Sequence, residues 1–166
     1  MTKILIEKII EIFGQNIPKE IIVFFISMLP IFELRGSLIA AGLLNMNFLN
    51  TYLISVIGNI LPIPFILIFI RKIFKWLKKT KFKKIVEKLE NKALSKSDKI
   101  QKYGKWGLFL FVAIPLPGTG AWTGSLIASL LNMRIKDSFL SILAGILIAG
   151  LIMSMFSFGI IKQIIY

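Results

Sequence analysis

Two stretches of the chain, Phe48–Ile70 and Phe139–Ile161, run for 23 residues each without a charge. About 20 apolar residues in a helix cross the hydrocarbon of a bilayer, so each stretch predicts a transmembrane helix. The apolar runs ahead of them are shorter. Ile21–Leu29 and Ser37–Met46 each reach roughly half a bilayer as helices, and they are parted by Pro30, Glu33 and Arg35. This predicts a re-entrant helical hairpin rather than a straight span. The same construction recurs over residues 106–133, where WGLFLFVAI leads into PLPGTGAWTG and then SLIASLLNM. Pro115, Pro117, Gly118 and Gly120 do not carry a helix comfortably. Non-helical backbone at that depth is tolerated only where protein or a water-filled cavity surrounds it. Ahead of all this, residues 2–13 (TKILIEKIIEIF) set Lys3, Glu7, Lys8 and Glu11 along one side of a helix. The pattern fits an interfacial helix lying on the membrane, or equally an amphipathic helix packed on the protein. Pro18 then reads as a first-turn proline opening the next helix.

The two halves resemble each other. GSLIAAGLLNM (Gly36–Met46) and GSLIASLLNM (Gly124–Met133) differ by one inserted residue and one substitution. Downstream, Asn50, Thr51, Tyr52 and Gly58 answer to Asp137, Ser138, Phe139 and Gly145, and a proline precedes each turn, Pro30 and Pro117. If each half is one hairpin plus one span, it crosses the membrane an odd number of times and the second half is inverted, an arrangement used by secondary transporters. The hairpin tips would then meet near the midplane. If the hairpins instead cross fully, the chain has four ordinary spans in parallel halves. The predicted fold is thus all-α integral membrane, a single domain made of the interfacial helix, repeat 1 (18–70), a basic cytoplasmic helical loop (71–105) and repeat 2 (106–161).

Charge changes the picture once it is located. The net charge of +13 looks like a nucleic-acid footprint, but Arg71–Lys105 alone carries 14 Lys or Arg against Glu87, Glu90 and Asp98. That segment lies between two membrane regions and is expected to be cytoplasmic, with Arg134 and Lys136 on the same side; nucleic acid is not an expected partner. Its surface suits anionic lipid headgroups. The chain has neither cysteine nor histidine, which removes disulfides, the usual nucleophile and base pairs, and thiolate or imidazole metal sites. No cofactor or enzymatic activity is expected. The first charged stretch is mixed in sign and no small-residue cleavage site follows it, so a secretory signal is not expected and the N-terminus should be retained.

Glu33 and Arg35 are the only charged residues between Ile21 and Ile70. Charges at membrane depth are costly and usually face a cavity or one another. They read as functional residues in a non-helical loop, or as an ion pair fastening the hairpin tip. In the second loop, Gly118, Thr119, Gly120 and Thr123 form a turn able to aim successive backbone N–H groups at one anion, with Trp122 as an apolar wall. Pro62 and Pro64, beside Asn59, predict a kink in the first span.

ELRGSLIAAG after a proline, together with IPLPGTGAWTG, resembles the small multi-drug export proteins of bacteria over about residues 18–160. That family is distantly similar to the DedA superfamily, whose paired re-entrant hairpins are associated with moving polyprenyl phosphate carriers and other lipids. The matching positions are Glu33 and Arg35, and Pro117, Gly118, Thr119 and Gly120. The second loop departs from that superfamily in lacking acidic and arginine residues. The resemblance implies a multi-pass protein of the bacterial cytoplasmic membrane. The expected function is proton-coupled transport of an amphiphilic anionic lipid such as undecaprenyl phosphate, with Glu33 carrying the proton and Arg35, Gly118, Thr119, Gly120, Trp122 and Thr123 holding the substrate. Export of lipophilic cationic drugs, with Glu33 as counter-charge, and a non-transporting scaffold that docks through the basic loop are the alternatives. Two spans and two hairpins make a thin wall around a cavity, so a homodimer is a reasonable assembly.

Overall fold

The computed structural model describes the backbone of residues 17–165 and the side chains of residues 17–157. The interfacial helix predicted over 2–13 lies outside the described residues. Those described form helices, with no strand among them: α1 Lys19–Met28, α2 Glu33–Leu43, α3 Phe48–Ile60, α4 Ile63–Leu77, α5 Lys83–Leu94, α6 Asp98–Ala113, α7 Ala121–Leu130 and α8 Ile135–Ile165. Among the described residues, two stretches are long and apolar enough to cross a membrane, Phe48–Leu77 and Ile135–Ser157.

Helix ends follow local chemistry. Pro18 stands one position ahead of α1 with an extended ψ of 137°, rather than inside its first turn, and its carbonyl accepts from Ile21 and Ile22 N–H. After α1 the Leu29 carbonyl accepts from the N–H of Phe32 (3.2 Å) and Glu33 (2.8 Å), so the chain turns in four residues. The break is shorter than expected, and Glu33 and Arg35 belong to the first turn of α2 rather than to a non-helical loop. Pro30, inside the turn, has no N–H to satisfy.

The repeated Leu-Asn-Met ends the second arm of both hairpins in the same way. Asn45 (φ 52°) and Asn132 (φ 56°) take the left-handed conformation that asparagine tolerates better than most residues. Met46 N–H reaches Ala41 O (3.1 Å) and Met133 N–H reaches Ala128 O (3.0 Å), closing the same six-residue cap. Asn45→Ala should therefore cost about 1 kcal/mol of stability, while Asn45→Gly should cost little, because only the former pays the left-handed penalty. Thermal melts of the two variants in one detergent check this.

The first span does not stop at Ile70. The helix breaks at Leu61 and Pro62, resumes at Ile63 and runs through Arg71, Lys72 and Lys75 to Leu77. No helix breaker lies between Pro64 and Lys79, and basic residues favour a helix C-terminus. The segment expected as a basic loop is thus the end of α4, the amphipathic α5 and the start of α6, which kinks at Gly104 (φ 56°, ψ −127°).

The chain divides into two compact units, Met1–Leu61 with Ile146–Tyr166, and Pro62–Gly145. In unit 1, α1 packs on α2 and α3, and α2 packs on α3. Val23, Ile26, Leu34 and Leu38 are buried there. In unit 2, α7 packs on α4, α5 and α6. Ile63, Leu108, Ile127 and Ile142 are buried there. Each unit contains one helical hairpin. Glycines set the closest approaches: a Cβ at Gly58 would meet Ser27 Oγ and Phe24 O (2.8 Å) of α1, and one at Gly145 would meet Val112 Cβ (2.7 Å) of α6. Such small-residue contacts are how helices pack closely inside membranes, where the hydrophobic effect gives no drive between them.

Candidate functional site

The turn of the first hairpin is built around Glu33. Its side chain is buried, 7% exposed, and its backbone is left-handed (φ 50°), a conformation that costs a non-glycine residue about 1–2 kcal/mol. Strain of this kind persists only where the surroundings enforce it, and it gathers at functional sites. Two residues on, Arg35 is only partly buried and is an electrostatic neighbour of Glu33. Leu34 between them is fully inside, and Ser37 Oγ donates to the Leu34 carbonyl at 2.8 Å. A Cβ at Gly150 of α8 would meet the Tyr52 ring (2.7 Å) and Leu34 Cδ2 (3.3 Å), and the Tyr52 hydroxyl donates to Leu147 O at 3.0 Å. This end of α2 is therefore enclosed by α3 and α8 within unit 1.

The turn of the second hairpin is a seven-residue loop, residues 114–120, tied by its own threonine. Thr119 Oγ1 lies 2.8 Å from Leu116 O and 3.0 Å from Ile114 O, two acceptors that share its one proton. Gly118 (φ 77°) and Gly120 (φ 136°) hold conformations that L side chains rarely adopt. Pro115 and Pro117 lie in this loop. Trp122 and Thr123, expected in the loop, stand instead half-buried in the first turn of α7, because the helix starts at Ala121 directly after Gly120.

The residue that sequence reasoning missed here is Lys96. Its ammonium donates to the Gly118 carbonyl at 2.9 Å. The reversal at Gly104 delivers it: a Cβ at Gly107 would run into the Lys99 carbonyl and meet Ile100 Cα at 3.0 Å, so the stretch before Gly104 folds back along the arm after it. In a straight helix those positions would stand about 12 Å apart. No spacing rule links Lys96 to Gly118; the only hint is a pair of glycines ahead of an apolar helix. The loop that lacks charge in the linear sequence thus gains a cation beside the N-terminus of α7, where backbone N–H groups also favour negative charge. Elsewhere in unit 2, Arg71 bonds Asn132 and Ser129 Oγ donates to Leu67 O, which ties α4 to the end of α7.

Glu33 and Arg35 are brought together in unit 1. Gly118, Thr119, Gly120, Trp122 and Thr123 are brought together in unit 2. Pro62 and Pro64 flank the start of α4, at the break in the first span.

No curated protein and no solved structure matches the chain. A family model does, over residues 33–152, well over half of its length, from the start of α2 through the second hairpin turn and into α8; its description is "putative small multi-drug export protein". The chain belongs to that family, as a membrane protein of a transport class whose described residues form helices and no strand.

Proposed function

We propose that this protein is a proton-coupled secondary transporter that moves an amphiphilic anionic lipid, of the class of undecaprenyl phosphate, in the bacterial cytoplasmic membrane. The observation that carries this reading is the Lys96 ammonium on the Gly118 carbonyl, directly ahead of α7. A cation, a glycine loop and the positive end of a helix dipole together favour a phosphate or carboxylate headgroup. Gly118, Thr119, Gly120, Trp122 and Thr123 serve this headgroup. Lys96 supplies a cation to a second loop that has none of its own. Arg35 is the corresponding cation of the first hairpin. Glu33, buried and strained beside it, takes and releases the coupling proton. The hairpins are re-entrant and the halves inverted in this reading, which the repeated Leu-Asn-Met caps and the paired glycines Gly58 and Gly145 support. The basic helix α5 rests on anionic headgroups.

A second reading, export of lipophilic cations, is favoured by the family description and by the buried carboxylate of Glu33. Thermal stabilisation of the purified protein separates the two, because bound ligand raises apparent stability by about 2.7 kcal/mol at 100 times its Kd. Undecaprenyl phosphate should raise the Tm of wild type, and Lys96→Ala and Arg35→Ala should each shrink that rise. A rise with tetraphenylphosphonium alone, lost in Glu33→Gln, would replace the anion reading with the cation one.

A further inference from the structure

The interior of unit 1 holds several buried polar side chains. Thr51, Ser55 and Asn59 of α3 are all at most 2% exposed, and Thr51 Oγ1, Ser55 Oγ and Asn59 Oδ1 have no hydrogen-bond partner among the described residues. They recur every fourth residue, so they line one face of α3. That face is turned into the hairpin, because Gly58, on the same side, meets Ser27 and Phe24 of α1. A fourth such oxygen, Ser154 Oγ of α8, lies one turn beyond Gly150, whose own face meets Tyr52 and Leu34. Glu33 is buried in this same unit, on α2, which packs directly on α3.

Spacing decides what could satisfy these groups. Thr51 and Asn59 are eight residues apart, about 12 Å along the helix. One metal ion, with oxygens at about 2.4 Å, cannot be held by all three. Successive members of the row are about 6 Å apart, and a water bonded to both neighbours at about 2.8 Å spans that interval. Buried waters typically settle where two to four otherwise unpaired polar groups converge. Hydroxyls both donate and accept, as relaying a proton requires.

We infer that unit 1 holds a file of ordered waters along Thr51, Ser55 and Asn59, joined by Ser154, through which protons reach the Glu33 carboxylate. Naming protons as the traffic rests on the coupling role proposed for Glu33. One proton enters the file as another leaves it for the carboxylate, so no net charge is stored in the row. The competing possibility is a dry row of small residues that serves only close helix packing.

Radiolytic hydroxyl labelling of the full-length protein in detergent, read by mass spectrometry, distinguishes these, because bound water oxidises the side chains beside it. In wild type, Phe24 and Tyr52 should be labelled well above Phe65, which is 62% exposed on an apolar helix face. The triple variant Thr51→Val, Ser55→Ala, Asn59→Leu should lose that excess and melt no lower than wild type. Should it fail to fold, Ser55→Ala alone should reduce the excess. Labelling of Phe24 and Tyr52 no greater than that of Phe65 in wild type, or unchanged in the variants, would overturn the water file. Glu33→Gln should keep the labelling while losing coupled transport. If transport survives that change, the coupling role fails and the hydrated row stands without it.

Discussion

Gly58→Leu and Gly145→Leu should each abolish correctly folded protein, seen as loss of the monodisperse peak in size-exclusion chromatography and of a cooperative melt. At Gly58 even a Cβ would overlap Ser27 Oγ and press on the Phe24 carbonyl at 2.8 Å. At Gly145 it would meet Val112 Cβ at 2.7 Å and Phe109 O at 3.1 Å. A backbone carbonyl and a β-branched carbon cannot swing aside, so α1 and α6 must each back away from their span, and overpacking of this kind costs about 1–3 kcal/mol or more. Gly58→Ala should give the milder version of the same defect. A Gly58→Leu protein that folds and melts like wild type would mean that α1 does not approach α3 as described.

Glu33 should show opposite responses in stability and activity. Glu33→Gly relieves a left-handed backbone that glycine adopts freely, so its melting temperature should rise, by an amount worth about 1 kcal/mol once glycine's greater entropy cost is counted. The same change removes the carboxyl, so pH-driven uptake into proteoliposomes should fall to background. Glu33→Gln keeps the size of the side chain and the strain, and should lose transport without the gain in stability that relief of strain provides. A destabilised Glu33→Gly would show that the contacts of the side chain outweigh the strain. Retained uptake in Glu33→Gln would remove Glu33 from the coupling role.

Much of the local architecture was legible in the residue order because its causes are local. Pro30, and the cluster Pro115, Pro117, Gly118 and Gly120, disfavour a continuing helix, so both hairpin turns appear near the expected positions. The repeated Leu-Asn-Met announced two like helix ends, since asparagine accepts the left-handed cap in either half. The uncharged runs marked both long apolar helices. Boundaries were less legible where two tendencies compete. The expected end of the first span at Ile70 followed the charge, but the helix continued to Leu77 because nothing in the backbone stops it. The expected loop around Glu33 and Arg35 followed the proline, but the turn closed in four residues and both fell on α2.

The sequence by itself determined the helical class, the membrane-length apolar runs and the two hairpin turns, because each depends on one residue's own propensity or on its immediate neighbours. Only the tertiary structure decided which groups stand together. Lys96 meets Gly118 because the chain reverses at Gly104. Tyr52 meets Leu147 because Gly150 lets α8 come close to the Tyr52 ring, and Thr51, Ser55 and Asn59 are turned inward on the side where Gly58 lets α1 come close. Contacts between residues 22 or 95 positions apart depend on where whole helices are packed, and packing is set by the shapes of many side chains at once rather than by any spacing along the chain.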